Sequence, residues 1–273
     1  MKKDTITASG QSSVTVYDFG AHVTSWKNAS GKEILYTSPS AKLDGSKAIR
    51  GGIPICFPQF GKKGPLRQHG FARNSFWTPD ESFGSTEDGP ALKYTLRDTG
   101  ETRQSAWPHS FEAAYFVTLA PDGNSLTVEL QVKNTNKNGE EFSFTTALHS
   151  YFCCNSQETT LSEYSGLKYE DNIESGVEKT QHGIIEFGKE VDRVYLGTKS
   201  TLSLPSANLV IEKVNMPDAV VWNPYIEKTA ALSDMPDDDW KKFICIEPGR
   251  IGEPAFVKPG ETWTCSLTLL STS

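Results

Sequence analysis

Glu247 and His149 are the two residues of this chain best suited by type and setting to proton transfer. Glu247 follows the apolar run Phe243-Ile244-Cys245-Ile246 in "FICIEPGRIG". An apolar approach raises a carboxyl group toward the strength of a useful base. The same residue, ending a buried strand and followed by Pro-Gly, equally fits a loop anchor. His149 falls inside the strand pattern "FTTALHSYF", among aromatic neighbours. There it suits a catalyst and, equally, a satisfied core or rim histidine. Asp192, in "EVDRVYLG", alternates with apolar residues and reads alone as part of a solvated strand face, with Arg193 as its companion. "WNPY" at 222–225 fits a strand-end turn or an aromatic platform for a sugar.

The stretch "AIRGGIPICFPQFGKKGPLRQHGFARNSFW" mounts Arg50, Arg67, Gln68, His69 and Arg73 on a ribbon rich in Gly, Pro and aromatic residues. Such composition suits neither a core segment nor an ordinary loop. Gly70 beside His69 lets the backbone approach a ligand closely, although a histidine that locks a turn explains "QHG" equally well. His22, His109 and His182 lie in unremarkable contexts.

Strands are the elements that must position these groups. In "NSLTVELQVKNT", Leu126, Val128, Leu130 and Val132 share one face and Thr127, Glu129, Gln131 and Lys133 the other. "SFEAAYFVTLA" and the turn "PDGN" precede it, which predicts a hairpin. Further short strands are expected at "EEFSFTTALHSYF", "STLSLP", "ANLVIEKV", "AVVWNP", "KFICIEP" and "TWTCSLTLL", separated by turn signals. Helical periodicity is scarce; "PDDDWKKF" predicts one short helix, with its charges placed as the helix dipole favours. With no βαβ alternation, internal repeat or low-complexity linker, the expectation is an all-β chain. It forms a large antiparallel sandwich or barrel, one domain over 1–273.

Composition narrows the function classes. The 273 residues are 37% hydrophobic and 11% aromatic, enough for a sizeable core. A net charge of -7 argues against nucleic acid or an anionic membrane as partner, so an anionic ligand needs a local cationic pocket. No signal segment or membrane span is read, and the five cysteines, two of them adjacent and none in CxxC spacing, suit free thiols in a reducing cytoplasm. No spacing suggests a metal site, and GxSxG, HExxH, P-loop and dinucleotide fingerprints are missing.

In chain order, "RGGIPICFPQFG", "QHGFAR", "LHSYF", "VDRVY", "WNP" and "IEPG" resemble the glucose-6-phosphate 1-epimerases. These are the hexose-6-phosphate mutarotases of the aldose-1-epimerase superfamily, the plant apospory-associated protein C group included. The first two motifs together are specific, and the resemblance runs from about Tyr17 to Leu270. It implies a galactose-mutarotase-like β-sandwich with the sugar on one sheet and few short helices. It also implies His149 as general acid, Glu247 as general base, Arg50, Gln68 and Arg73 on the phosphosugar, and Asp192 on the sugar hydroxyls. His69, within the same motif, is grouped with the substrate-binding residues. Arg67, Lys62 and Lys63 fall in a variable part of the motif and take no role. The expected activity is interconversion of hexose 6-phosphate anomers by a cytoplasmic monomer without cofactor or metal. Aldose 1-epimerisation of unphosphorylated sugars, a non-catalytic phosphosugar-binding protein, and a glycosidase using Asp192 and Glu247 remain the alternatives.

Overall fold

The computed structural model describes residues 1–137 and 139–272. Two eight-stranded sheets and one three-stranded sheet account for most of it, as the alternation predicts. The sheet that matters for chemistry runs, edge to edge, through Val177–Thr180, Lys168–Asp171, Val191–Tyr195, Asp218–Asn223, Phe243–Val257, Phe142–Leu148 and Ile55–Cys56. Tyr151–Cys153 pairs with the start of Phe243–Val257. The other large sheet is ordered Thr201–Leu204, Leu209–Val214, Thr262–Ser271, Ser125–Asn134, Phe111–Leu119, Gly89–Arg97 and Thr78–Pro79, with Ser85–Thr86 beside Gly89–Arg97. Its central hairpin, Phe111–Leu119 with Ser125–Asn134, is the one predicted around "PDGN".

One hydrophobic cluster between the sheets draws on residues from Val14 to Leu269. Leu126, Val128, Leu130 and Val132 are all fully buried in it. Each such side chain contributes roughly 1.5–3 kcal/mol relative to exposure. The functional sheet has a second apolar face. Ile244 and Ile246 enter the central core, whereas Phe243 and Cys245 join a separate cluster with Tyr36, Tyr151, Val220 and Trp222. Successive side chains of a strand point to opposite faces, so Glu247 shares the second face with Cys245.

Three local expectations change. "PDDDWKKF" makes only a four-residue 3-10 turn, Asp239–Lys242, while the one α-helix among the described residues, Tyr225–Ala230, starts at the last residue of the 222–225 segment. Glu247 does not end its strand, because Phe243–Val257 continues past it, bending where its register against Phe142–Leu148 shifts. The run around His149 is interrupted: strand geometry stops at Leu148 and resumes at Tyr151, with Ser150 N–H turned back to the Leu148 carbonyl at 2.8 Å. His149 therefore sits in the break rather than within a strand.

Candidate active site

Side-chain rows across the second face of the sheet bring the candidate residues together. Asp192 pairs with Trp222, Trp222 with Cys245, and Cys245 with Tyr151, a single row over four strands. Glu247, paired with Val220, stands in the next row. His149 completes the arrangement: its Nδ1 lies 3.4 Å from Glu247 Oε1. The imidazole stacks on Tyr151, with ring centroids 4.8 Å apart and planes 8° from parallel, and meets Trp222 edge-on at 5.6 Å. Neither His149 Nδ1 nor Glu247 Oε2 has a hydrogen-bond partner among the described residues.

Burial dominates the electrostatics of this pair. It pushes the Glu247 carboxyl well above its usual range, helped by the Asp192 charge and opposed by Arg73. It pushes the His149 imidazole well below its usual range, reinforced by His69, Arg73 and Arg50. The free site thus favours a protonated carboxyl facing a neutral imidazole. Both directions run against a proton resting on His149, which the general-acid role implied by the resemblance needs, since an ion pair here would be stripped of water on both sides.

The arginine-bearing ribbon is built as its composition suggests. Phe57, Phe60 and Trp77 are buried, and Phe71 packs on the same core. Gly52 has φ +62°, and a Cβ there would meet the Val23 carbonyl oxygen at 2.1 Å, so only glycine fits. The ribbon's carbonyls in turn hold the broken strand: Pro54 O accepts from His149 N–H at 3.0 Å and Gly52 O from Tyr151 N–H at 2.9 Å.

The basic groups are not equivalent. Arg50 is committed, with Nε donating to Asp234 Oδ1 at 3.2 Å and Nη1 to the Tyr151 hydroxyl at 3.3 Å. Asp234 is buried and also receives Lys47 at 2.7 Å. Arg73, on the 3-10 turn Ala72–Asn74, donates only to the Gln68 carbonyl at 3.3 Å and has no carboxylate partner among the described residues. Its charge reaches His22, Cys56, Arg67, His69, His149 and Glu247. His69, buried with φ +66°, accepts from Gly61 N–H on Nδ1 at 3.2 Å, and its Nε2 lies 3.3 Å from the Gln68 amide nitrogen. Burial, Arg73 and Arg50 bring its pKa down to about 3, so it stays neutral. The exposed Gln68 side chain reaches His69 Nε2, and Lys63 is paired with Glu170.

Asp192 is not a solvated strand residue. Asn172 Nδ2 donates to its Oδ1 at 2.7 Å, Lys228 lies 3.6 Å from Oδ2, and burial raises its pKa. Sequence reading missed Asp234, Tyr151, Asn172 and Lys228, because only the fold brings them to the site. It also missed a possible ligand set: one donor atom each from His149, Cys245 and Glu247 lies within 4.8 Å of the others, although no spacing in the chain suggests it. All five cysteines are free thiols. A cleft of about 400 Å³ lined by Gln59, Leu66, Trp107, Phe144, Ile251 and Pro254 touches none of the candidate residues.

The nearly all-β chain thus carries a buried imidazole–carboxyl contact beside an aromatic wall. The sequence pattern of the aldose 1-epimerase family matches residues 3–269, and the chain belongs to that family of isomerases, which interconvert sugar anomers. A Cenchrus ciliaris protein provisionally named glucose-6-phosphate 1-epimerase is 40% identical over 264 residues, covering 93% of this chain and 80% of its own. An Escherichia coli K12 protein of the same provisional name is 35% identical over 243 residues, 86% of this chain and 78% of its own. The crystal structure of a provisionally assigned mutarotase from Salmonella typhimurium superposes with a TM-score of 0.82 at 27% identity, covering 96% of this chain and 88% of that one.

Proposed function

We propose that this chain, acting as one unit over residues 1–273, interconverts the α and β anomers of D-glucose 6-phosphate and related hexose 6-phosphates. The observation that carries the reading is the 3.4 Å approach of His149 Nδ1 to Glu247 Oε1 on a face bordered by the carboxylate-free Arg73. The names of the relatives from Cenchrus ciliaris and Escherichia coli support the phosphosugar. Arg67 adds to the anion-receiving character: burial and Arg73 lower its pKa, so two guanidiniums repel one another until an anion arrives.

A phosphate dianion entering this field strengthens proton binding at His149 and draws the carboxyl proton of Glu247 across to Nδ1. The carboxylate then removes the proton from the C1 hydroxyl while the imidazolium gives its Nε2 proton to the ring oxygen. The C1–O5 bond breaks, the aldehyde forms, and rotation about C1–C2 presents the other face. On closure Glu247 returns its proton to O1 and His149 Nε2 recovers one from the C5 hydroxyl. Protons balance over the cycle, and each residue serves as acid in one direction and base in the other. Asp192, His69 and Gln68 lie around the pair where sugar hydroxyls would be oriented, and Trp222 offers an apolar ring face. Arg50, bound to Asp234 and Tyr151, holds the wall and contributes its free donors to the phosphosugar. The setting proposed for this reaction is the cytoplasm, with a monomeric enzyme. Among the described residues no helix is long and apolar enough to cross a membrane.

The pairing of Arg50 with Asp234 favours a second reading, epimerisation of unphosphorylated aldoses, because it takes one cation out of the arginine clamp, Arg50 with Arg73, that would hold the phosphate. Anomer exchange followed by NMR on glucose 6-phosphate and on glucose separates the two. Arg73→Ala should lower kcat/KM for glucose 6-phosphate by about 10- to 150-fold, the loss of charge-assisted bonds worth roughly 1.5–3 kcal/mol, and leave turnover of glucose nearly unchanged. Equal proportional losses on both substrates would remove the clamp.

A further inference from the structure

We infer that His149, Cys245 and Glu247 form a site for a thiophilic divalent cation, Zn²⁺ or Cd²⁺, whose occupancy shuts off the acid–base pair. Cys245 and Glu247 are two residues apart on one strand and so face the same side, and His149 closes the third corner from the break in the neighbouring strand. One donor atom from each lies within 4.8 Å of the others. A tetrahedral zinc ion spaces nitrogen, oxygen and sulfur donors roughly 3.3–3.6 Å apart, so the His149–Glu247 pair needs no adjustment and the widest pair must close by about 1 Å. Two buried atoms in the cluster, His149 Nδ1 and Glu247 Oε2, have no hydrogen-bond partner among the described residues and are available as donors.

Charge fits as well. Binding takes the neutral imidazole lone pair and displaces one proton each from the Glu247 carboxyl and the Cys245 thiol, so two protons go to solvent. The dication meets two anions and the buried site ends neutral. Imidazole with thiolate suits zinc and cadmium rather than magnesium or calcium. The cation takes the two groups that anomerisation uses, so it is an inhibitor, and metal and sugar exclude one another. The inhibitory consequence rests on the function proposed above, whereas the binding site does not.

The test uses the whole chain, dialysed against a chelator. Zinc chloride should inhibit glucose 6-phosphate anomer exchange competitively with the sugar and reversibly on adding chelator, more strongly as pH rises because protons are released. Scored against its own uninhibited rate, Cys245→Ala should need at least about tenfold more zinc, the scale of a lost metal-site interaction. Cys153→Ser/Cys154→Ser, which removes the half-buried adjacent thiols, should respond like wild type. Independently of turnover, cadmium should give thiolate-to-metal charge-transfer absorption in the Cys153→Ser/Cys154→Ser protein, and Cys245→Ala in that background should lose it. Unchanged zinc sensitivity in Cys245→Ala, no cadmium band, or zinc inhibition that sugar does not relieve would each overturn the site; the last needs only wild-type protein if Cys245→Ala does not fold. A cadmium band in a protein that turns over no phosphosugar would uphold the site and remove the proposed reaction instead.

Discussion

Glu247 has one carboxyl oxygen 3.4 Å from His149 and the other without a hydrogen bond among the described residues. Burying a carboxyl so incompletely satisfied opposes folding, and the proton transfer proposed above would be the compensating use. Glu247→Gln and His149→Ala should each slow anomerisation by about a hundredfold or more. Near-wild-type NMR exchange rates in either variant would end the assignment. The same burial makes a stability prediction. The folded protein keeps a proton on Glu247 above the pH where the unfolded chain, near the ordinary value of 4.5, has released it. Stability therefore falls as pH rises beyond about that point, since the native state binds more protons. Glu247→Gln should melt several degrees above wild type at pH 8, with the gain shrinking toward zero as pH falls to 4. A gain independent of pH would mean that the carboxyl is ionised in the native protein.

At the scale of elements, the ribbon from Arg50 to Trp77 does two jobs, presenting basic side chains and holding the interrupted strand. The second was not legible from "RGGIPICFPQFG", because the carbonyls that bind His149 and Tyr151 carry no sequence signal of their own. Gly52→Ala adds a Cβ 2.1 Å from the Val23 carbonyl oxygen at φ +62°. It should cost on the order of 2–4 kcal/mol and raise KM for the phosphosugar, because Gly52 O positions Tyr151 under His149. Thermal melting with steady-state kinetics checks this, and a variant with wild-type melting would show that the ribbon is not set by that contact. The alternation around His149 survived its break: Leu148 and Phe152 enter the central core while Ala147 and Tyr151 lie in the other cluster. The period-2 pattern therefore gave the correct faces even where strand geometry lapses.

For the whole molecule, a net charge of -7 and a cationic corner around Arg73 coexist because Arg50, Arg67 and Arg73 all come from the one ribbon. The reaction proposed here moves only protons, so activity should survive exhaustive dialysis against a chelator, and rise if a thiophilic ion had been bound. Activity lost on dialysis and restored by a divalent ion would require a catalytic metal.

Strand content and the inward faces of the hairpin at Phe111–Asn134 follow from alternation, and the apolar approach to Glu247 from a continuous run, both local properties of neighbouring residues. The likeness of "QHGFAR", "LHSYF" and "IEPG" to one family nominated Arg73, His149 and Glu247 as candidates from the chain alone. Sheet order and the close of the break at Leu148 are non-local, and they decided the rest. Asp234, 184 positions from Arg50, became its counter-ion. Cys245 became a neighbour of the acid–base pair. The proton resting state of His149 and Glu247 was decided by tertiary structure too, because desolvation depends on what covers a group, and the residues that cover these two come from strands far apart in the chain.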